Sequence, residues 1–290
     1  MKFDFQRMRE SVRDTFQRGS QPSSGGPRGS FNFLEQVSEL TSAIQFLTIV
    51  PVPGSRQLFA MQDDTTSHVI TGSGYFSLVG FVIGLITCLI PFLFGTLLPS
   101  FVLSALAIIV LVILTGGIHL DGLIDTCDGV FGRLDRASKL EIMRDSRVGS
   151  FGLLGAACML LLKFALLGSL SVNLFFPALL IAPAISRWCV VLAMRLFPAA
   201  RSDGMGDEFR QSITLPYLAL SGIIALVVAL IFGHVVVGLL VWLGASALAI
   251  ILGAWMTRAL GGLTGDVGGA IVEVTEVMAL LLFLLLQFLY

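Results

Sequence analysis

The sequence predicts an all-α fold: a polytopic integral membrane helical bundle of about seven transmembrane helices, with a cytoplasmic helical hairpin. Three observations carry this reading. Of the 290 residues, 56% are hydrophobic and only 13% charged, and the mean hydropathy is +0.91, whereas soluble proteins carry roughly 25% charged residues. The apolar residues gather into several runs long enough for a membrane helix, which needs ~20 residues. The charged residues fall between alternate pairs of runs rather than between all of them. The net charge of −1 gives no bulk basic surface for nucleic acid.

Taken in order, residues 1–30 end in Ser20-Gln-Pro-Ser-Ser-Gly-Gly-Pro-Arg-Gly-Ser30, the composition of a disordered extension. The polar start, Met1 to Glu10, lacks the apolar run of a secretory signal peptide. Residues 31–290 form the membrane-embedded domain. Glu35 and Glu39 precede a short apolar stretch that stops at Pro51-Val-Pro53, too short to span and read as an interfacial or re-entrant helix. Candidate spans follow at about 75–98, 99–118, 151–171, 172–194, 213–233, 235–257 and 268–290. Lys and Arg occur in the N-terminal region, in 119–150, in 195–212 and at Arg258, whereas the turns near 98–100, 171–174 and 233–235 have none. By the positive-inside rule the charged segments are cytoplasmic. Cys88, Cys127, Cys158 and Cys189 are far apart with no CxxC spacing and read as small hydrophobes.

The segment between the second and third spans carries the chemistry. Its first part is His119-Leu-Asp-Gly-Leu-Ile-Asp-Thr-Cys-Asp-Gly129, followed by Phe-Gly-Arg133 and by Arg144-Asp-Ser-Arg-Val-Gly-Ser-Phe-Gly152. Asp121, Asp125 and Asp128 stand at i, i+4 and i+7, one stripe of a helix. Three acids on one stripe repel each other, and a hard cation such as Mg²⁺ relieves that. Gly122 and Gly129 interrupt the helix, where each costs ~1 kcal/mol, and imply close approach by a ligand or another backbone. Arg133, Arg144 and Arg147 suit phosphate. Asp145 reads as a further metal ligand or base, and His119, beside the triad, as a phosphate binder or proton shuttle.

Two further segments join these. Gly261-Gly-Leu-Thr-Gly265-Asp266 opens the last span. Backbone N–H groups and the helix dipole there suit an anion, with Thr264 or Asp266 as the N-cap. Asp266, Glu273 and Glu276 lie within about one helix face, and the last two approach membrane depth, where ionisable groups face an interior site. Arg201 to Arg210 is a glycine-bearing loop that suits a nucleotide or a plain connection. Arg187, inside a span, calls for an acidic or phosphate partner.

These residues resemble a known family. The string from His119 to Gly129, with Ile142-Met-Arg-Asp-Ser-Arg-Val-Gly149, is similar to the signature of the cobalamin synthases, or adenosylcobinamide-GDP ribazoletransferases. The likeness extends to Gln45-Phe-Leu-Thr-Ile-Val-Pro-Val-Pro53, Tyr75-Phe-Ser-Leu-Val-Gly80, the Arg201 loop, and Gly261 to Asp266 with Glu273, Thr275 and Glu276. It covers about residues 40 to 290 and leaves the first 30 or so outside.

The resemblance implies a Mg²⁺-dependent enzyme of the prokaryotic cytoplasmic (inner) membrane, with 31–290 as the catalytic domain. It implies adenosylcobinamide-GDP and α-ribazole, or its 5′-phosphate, as substrates and GMP as a product. Within that frame Asp121, Asp125, Asp128 and Asp145 hold metal, Asp128 is the first choice of base, and Asp145 and His119 are the other candidate catalytic groups. Arg133, Arg144, Arg147, Arg201, Gly265, Asp266, Glu273 and Glu276 bind the nucleotide or its phosphates. Membrane lipid is the surroundings, and a homo-oligomer is compatible with the sequence. The nearest rival is a CDP-alcohol phosphotransferase, whose Asp-Gly-x-x-Ala-Arg pattern is broken here by Asp125 and Thr126. The other rival is a cation-coupled transporter, which calls for charges deep in several spans.

Overall fold

The computed structural model describes residues 33–52, 72–132, 135–201 and 205–289. Among them there are helices and no strand, apart from one parallel bridge between Ala199 and Leu263. The N-terminal extension and Arg133 lie outside the described residues.

Helix α1 (Phe33–Leu47) rises only about 22 Å at 1.5 Å per residue, so it does not cross a bilayer. It lies across one end of the bundle instead. Tyr75 donates to Gln36 (2.6 Å) and Tyr217 donates to Glu39. Phe46 stacks on Phe76 and Phe209, and Ile49 N–H reaches Leu114 O at 2.9 Å. The helix is too short to span, as expected of an interfacial or re-entrant segment.

A short 3₁₀ turn (Ser73–Tyr75) leads into α2 (Phe76–Thr87) and α3 (Leu89–Phe94), which together make one apolar span. Next come α4 (Ser100–Thr115), α5 (Ile118–Phe131) and α6 (Arg136–Ile142). Then follow α7 (Ser150–Ser169), α8 (Val172–Leu196) and α9 (Met205–Ser212). The chain ends with α10 (Leu215–Phe232), α11 (Val235–Leu260), α12 (Gly265–Leu286) and a 3₁₀ turn. Six spans stand as expected to within a few residues. They make an integral membrane bundle whose outer faces carry exposed Leu, Ile, Val and Phe.

The second span differs. The chain does not run straight from 99 to 118: α4 stops at Thr115, and α5 leaves at 89° to it. Gly116 and Gly117 make the elbow, at φ 62° and 69°, a left-handed pair that L side chains resist. Sequence pattern sees only an apolar run of spanning length here. The fold bends it into a broken span or re-entrant loop, so the described residues hold six helices long and apolar enough to cross a membrane, or seven if the bent pair is one span.

Helix α8 is the central one, with 89% of its apolar window buried. Pro183 inside it has no N–H to bond the carbonyl four residues earlier. That carbonyl, Leu179 O, lies against Gly84 of α2, where a side chain would collide with it. Small residues at such crossings let backbones touch, and in lipid this close packing replaces the hydrophobic drive that water supplies. On another face Trp188 stacks on Trp242 (5.8 Å) and donates to Ser246 (2.9 Å). The connections at 95–99, 170–171 and 233–234 carry no Asp, Glu, Lys or Arg. The opposite, charge-rich end gathers α1, α6, α9, the C-terminal part of α5 and the turn before α12.

Candidate active site

Three segments distant in sequence are knitted together at the charge-rich end. Ala200 N–H donates to Leu263 O (2.9 Å) and Leu263 N–H to Pro198 O (2.8 Å). Arg136 donates to Ala200 O (3.1 Å), and Arg201 donates to Leu140 O. A side chain at Gly261 would collide with the Arg136 guanidinium. One at Gly206 would come within 2.9 Å of Gly265 N. Arg201, expected at phosphate, thus ties its loop to α6. Arg136 is the second tie.

Helix α5 crosses the head of α12 in direct backbone contact. A Cβ on Gly122 would stand 2.7 Å from Asp266 O, and one on Gly269 would stand 3.0 Å from His119 O. The close approach anticipated at Gly122 is therefore made by a backbone, and the one at Gly129 by Met143 and Lys139 of the α6 segment. His119, Gly122, Leu123, Thr126 and Cys127 are buried, while Asp121, Asp125 and Asp128 are partly exposed. At 100° per residue the acid stripe lies on the far side of α5 from His119. His119 points away from the acids, its Nε2 has no hydrogen-bond partner among the described residues, and it feels the charges of Arg187, Glu276 and Lys163.

The acids have different occupations. Both Asp128 oxygens accept backbone N–H bonds at the start of α7, from Gly149 (2.8 Å) and Gly152 (2.8 Å). Gly149 is the N-cap of α7 and brings no side-chain acceptor of its own. Asp128 supplies it from another helix, where the dipole favours a carboxylate. Neither glycine has room for a Cβ against that carboxylate, which accounts for the Val-Gly-Ser-Phe-Gly pattern without a ligand. Asp145 pairs with Arg147 (2.5 Å). That bond holds the Asp145 carboxyl below the usual carboxylate range and raises Arg147. The Arg147 side chain is 88% exposed, so the pair is a weak surface one. Arg144 is exposed. Among the described residues no three His, Cys, Asp or Glu side chains converge as a preformed metal cage.

The head of α12 is capped by Thr264, whose hydroxyl accepts from Val267 N–H (3.2 Å). Gly265 beside it is exposed, and nothing fills the space where its side chain would stand. Glu273 and Glu276 are elsewhere, roughly 12 and 16 Å further along the helix. Lys163 bonds both, at 2.7 and 2.5 Å, and Arg187 pairs with Glu276. All four are buried. Arg187 thus has the acidic partner it called for. The two glutamates face the interior, as membrane depth demands, but they pair with cations of α7 and α8 rather than standing beside the acid stripe. Lys163 is the participant that sequence reasoning missed. Its signal was a lone ammonium inside an apolar run, which obliges a partner without naming it.

The model of a protein family described as cobalamin-5-phosphate synthase matches residues 39–284. A curated protein named adenosylcobinamide-GDP ribazoletransferase, from Roseiflexus sp. (strain RS-1), is 38% identical over 87% of this chain and 91% of its own length. Proteins of the same name from Desulfitobacterium hafniense and Shewanella amazonensis are each 35% identical. Those alignments cover 86% and 88% of this chain, and 97% of each relative. No solved structure matches the chain.

Proposed function

The chain belongs to the cobalamin-5-phosphate synthase family, a group of transferases of cobalamin biosynthesis, and from that premise we propose the reaction it carries out. It transfers the cobinamide-phosphate moiety of adenosylcobinamide-GDP to α-ribazole or α-ribazole 5′-phosphate and releases GMP. The observation that supports this most directly is the contact of Gly122 with Asp266. It packs α5, the helix that bears the acid stripe, against the N-terminus of α12, which supports a shared site with carboxylates for a cation and amides for phosphate. By its charge this end faces the cytoplasm of a prokaryotic inner membrane.

The donor set fits Mg²⁺. That ion keeps most of its waters and is usually held by one or two carboxylates together with substrate phosphate oxygens, so a three-acid cage is not required. Asp121 and Asp125 are the carboxylates assigned to it. When bound, Mg²⁺ supplies charge neutralisation on the diphosphate and polarises its phosphoryl oxygens.

The remaining work falls to the chain's own groups. Backbone N–H groups at Gly265 and Asp266 orient the diphosphate by the positive end of α12. Exposed Arg144 meets the departing GMP. The ribazole ribose hydroxyl attacks the phosphorus on the cobinamide side. The bond from that phosphorus to the oxygen bridging to GMP breaks, and a carboxylate oxygen of Asp125 takes the hydroxyl proton. Asp128, occupied by two amides, holds α5 to α7 and so holds the acid stripe in place. His119, on the opposite face, takes no part in proton transfer. No covalent enzyme intermediate is needed. The phosphotransferase and transporter readings give way to the family membership.

The test is to incubate detergent-purified protein with adenosylcobinamide-GDP, α-ribazole and Mg²⁺ and to measure GMP and the corrinoid product. Stoichiometric GMP and cobalamin support the reading. GMP without a cobalamin product, or neither from folded protein, overturns it.

A further inference from the structure

Beneath the Gly116–Gly117 elbow lies a cavity of about 10 Å³ between α4, α5, α7, α8 and α12. Its apolar wall includes Leu111 and Leu160, and its polar wall is Lys163, Arg187, Glu273 and Glu276. Gly117 lines the same space as Glu276, so the elbow is below the head of α12, at membrane depth. Irregular backbone is tolerated there only where it is buried in protein or lines a water-filled cavity.

The hydrogen-bond accounting of the polar wall is incomplete. Arg187 has five donors, yet its bonds to Glu276, Ser186 (3.0 Å) and Pro183 O (3.4 Å) all leave from Nη1. Its Nε is buried and has no partner among the described residues, although the residue is only 1% exposed. Lys163 has three donors and gives two, to Glu273 Oε2 and Glu276 Oε2. Two cations and two carboxylates leave the cluster neutral, so a charged guest would unbalance it. The unfilled capacity is mainly donor capacity, so the guest accepts hydrogen bonds. A cavity of ~10–15 Å³ on this measure holds one water, given two to four polar partners.

We propose that this cavity is an internal water site. A water there accepts from Arg187 and Lys163 and donates to Glu273, which meets Lys163 through Oε2 alone. It completes the hydration of a four-charge cluster that joins α7, α8 and α12 beneath the helix that bears the acid stripe. The site is independent of the transfer reaction and stands or falls without it.

Hydroxyl-radical footprinting of the full-length protein in lipid nanodiscs tests this. X-ray pulses generate radicals from bound water, and mass spectrometry reads oxygen uptake, with H₂¹⁸O as tracer. The expected result is that Leu111 and Leu160 label several-fold faster than Leu252, an equally half-buried residue of α11 away from the cavity. In Leu160→Phe, which fills the space, labelling of Leu111 falls to the level of Leu252. Equal labelling of Leu111, Leu160 and Leu252 in the folded wild-type protein overturns the proposal. So does undiminished labelling of Leu111 in a folded Leu160→Phe variant.

Discussion

Asp128 closes the N-terminus of the helix that Gly149 begins, although 21 residues separate them in sequence. Because both oxygens are engaged, Asp128→Asn replaces one acceptor by an NH₂ group facing an N–H donor. A half-buried donor left without an acceptor costs about 1–3 kcal/mol. The variant should therefore melt at lower temperature in detergent as well as lose activity. An unchanged melting curve would show that the cap carries no stability.

Asp121→Asn and Asp125→Asn should behave differently. These carboxylates are assigned to the cation, and Asn keeps the shape without the charge that a hard ion requires. Turnover should fall by orders of magnitude while the protein stays folded and inserted in the membrane. Near-normal GMP release in both variants, across a Mg²⁺ titration, would remove the metal assignment.

Gly122→Val tests whether α5 must touch α12. Its branched side chain would meet the backbone of Asp266, which cannot rotate away as a side chain can. Overpacking of this kind costs typically 1–3 kcal/mol, and it would also push the acid stripe off the head of α12. The expected outcome is inserted protein with strongly reduced transfer. A Leu123→Val control, which changes volume without forcing the crossing apart, should retain most of it. Equal activity in Gly122→Val and wild type would mean that the crossing does not position the site.

How much of this was legible in the sequence differs element by element. The spans were, because an apolar run of about 20 residues has few other solutions. The elbow was not. Gly116 and Gly117 sit at the end of a run of spanning length, and pattern cannot distinguish a helix that continues from one that turns on two left-handed glycines. The acid stripe was legible because helical spacing fixes it. The use made of Asp128 was not, because its partner is the backbone of another helix. Glu273 and Glu276 were read as interior-facing, correctly, since depth demands it. Their partners depend on how α7 and α8 are rotated against α12, which no local spacing encodes.

That rotation yields the last prediction. Lys163 bonds both glutamates, while Glu276 has Arg187 as a second cation. Lys163→Met therefore leaves Glu273 with no cation among the described residues, but leaves Glu276 paired. Removing one partner of a buried pair costs about 3–5 kcal/mol, because the remaining charge stays desolvated. Replacing both partners with neutral groups of similar shape is often harmless. Lys163→Met alone should thus lower the yield of folded protein and its melting temperature sharply. Lys163→Met with Glu273→Gln should recover much of the loss, since Gln needs no cation and keeps a hydrogen-bonding head. The coupling between the two changes, read from a double-mutant cycle on thermal unfolding in detergent, should be large and of the rescuing sign. Additive losses would mean that the two side chains are paired in geometry but not in energy, with Glu276 and Arg187 alone fixing α12.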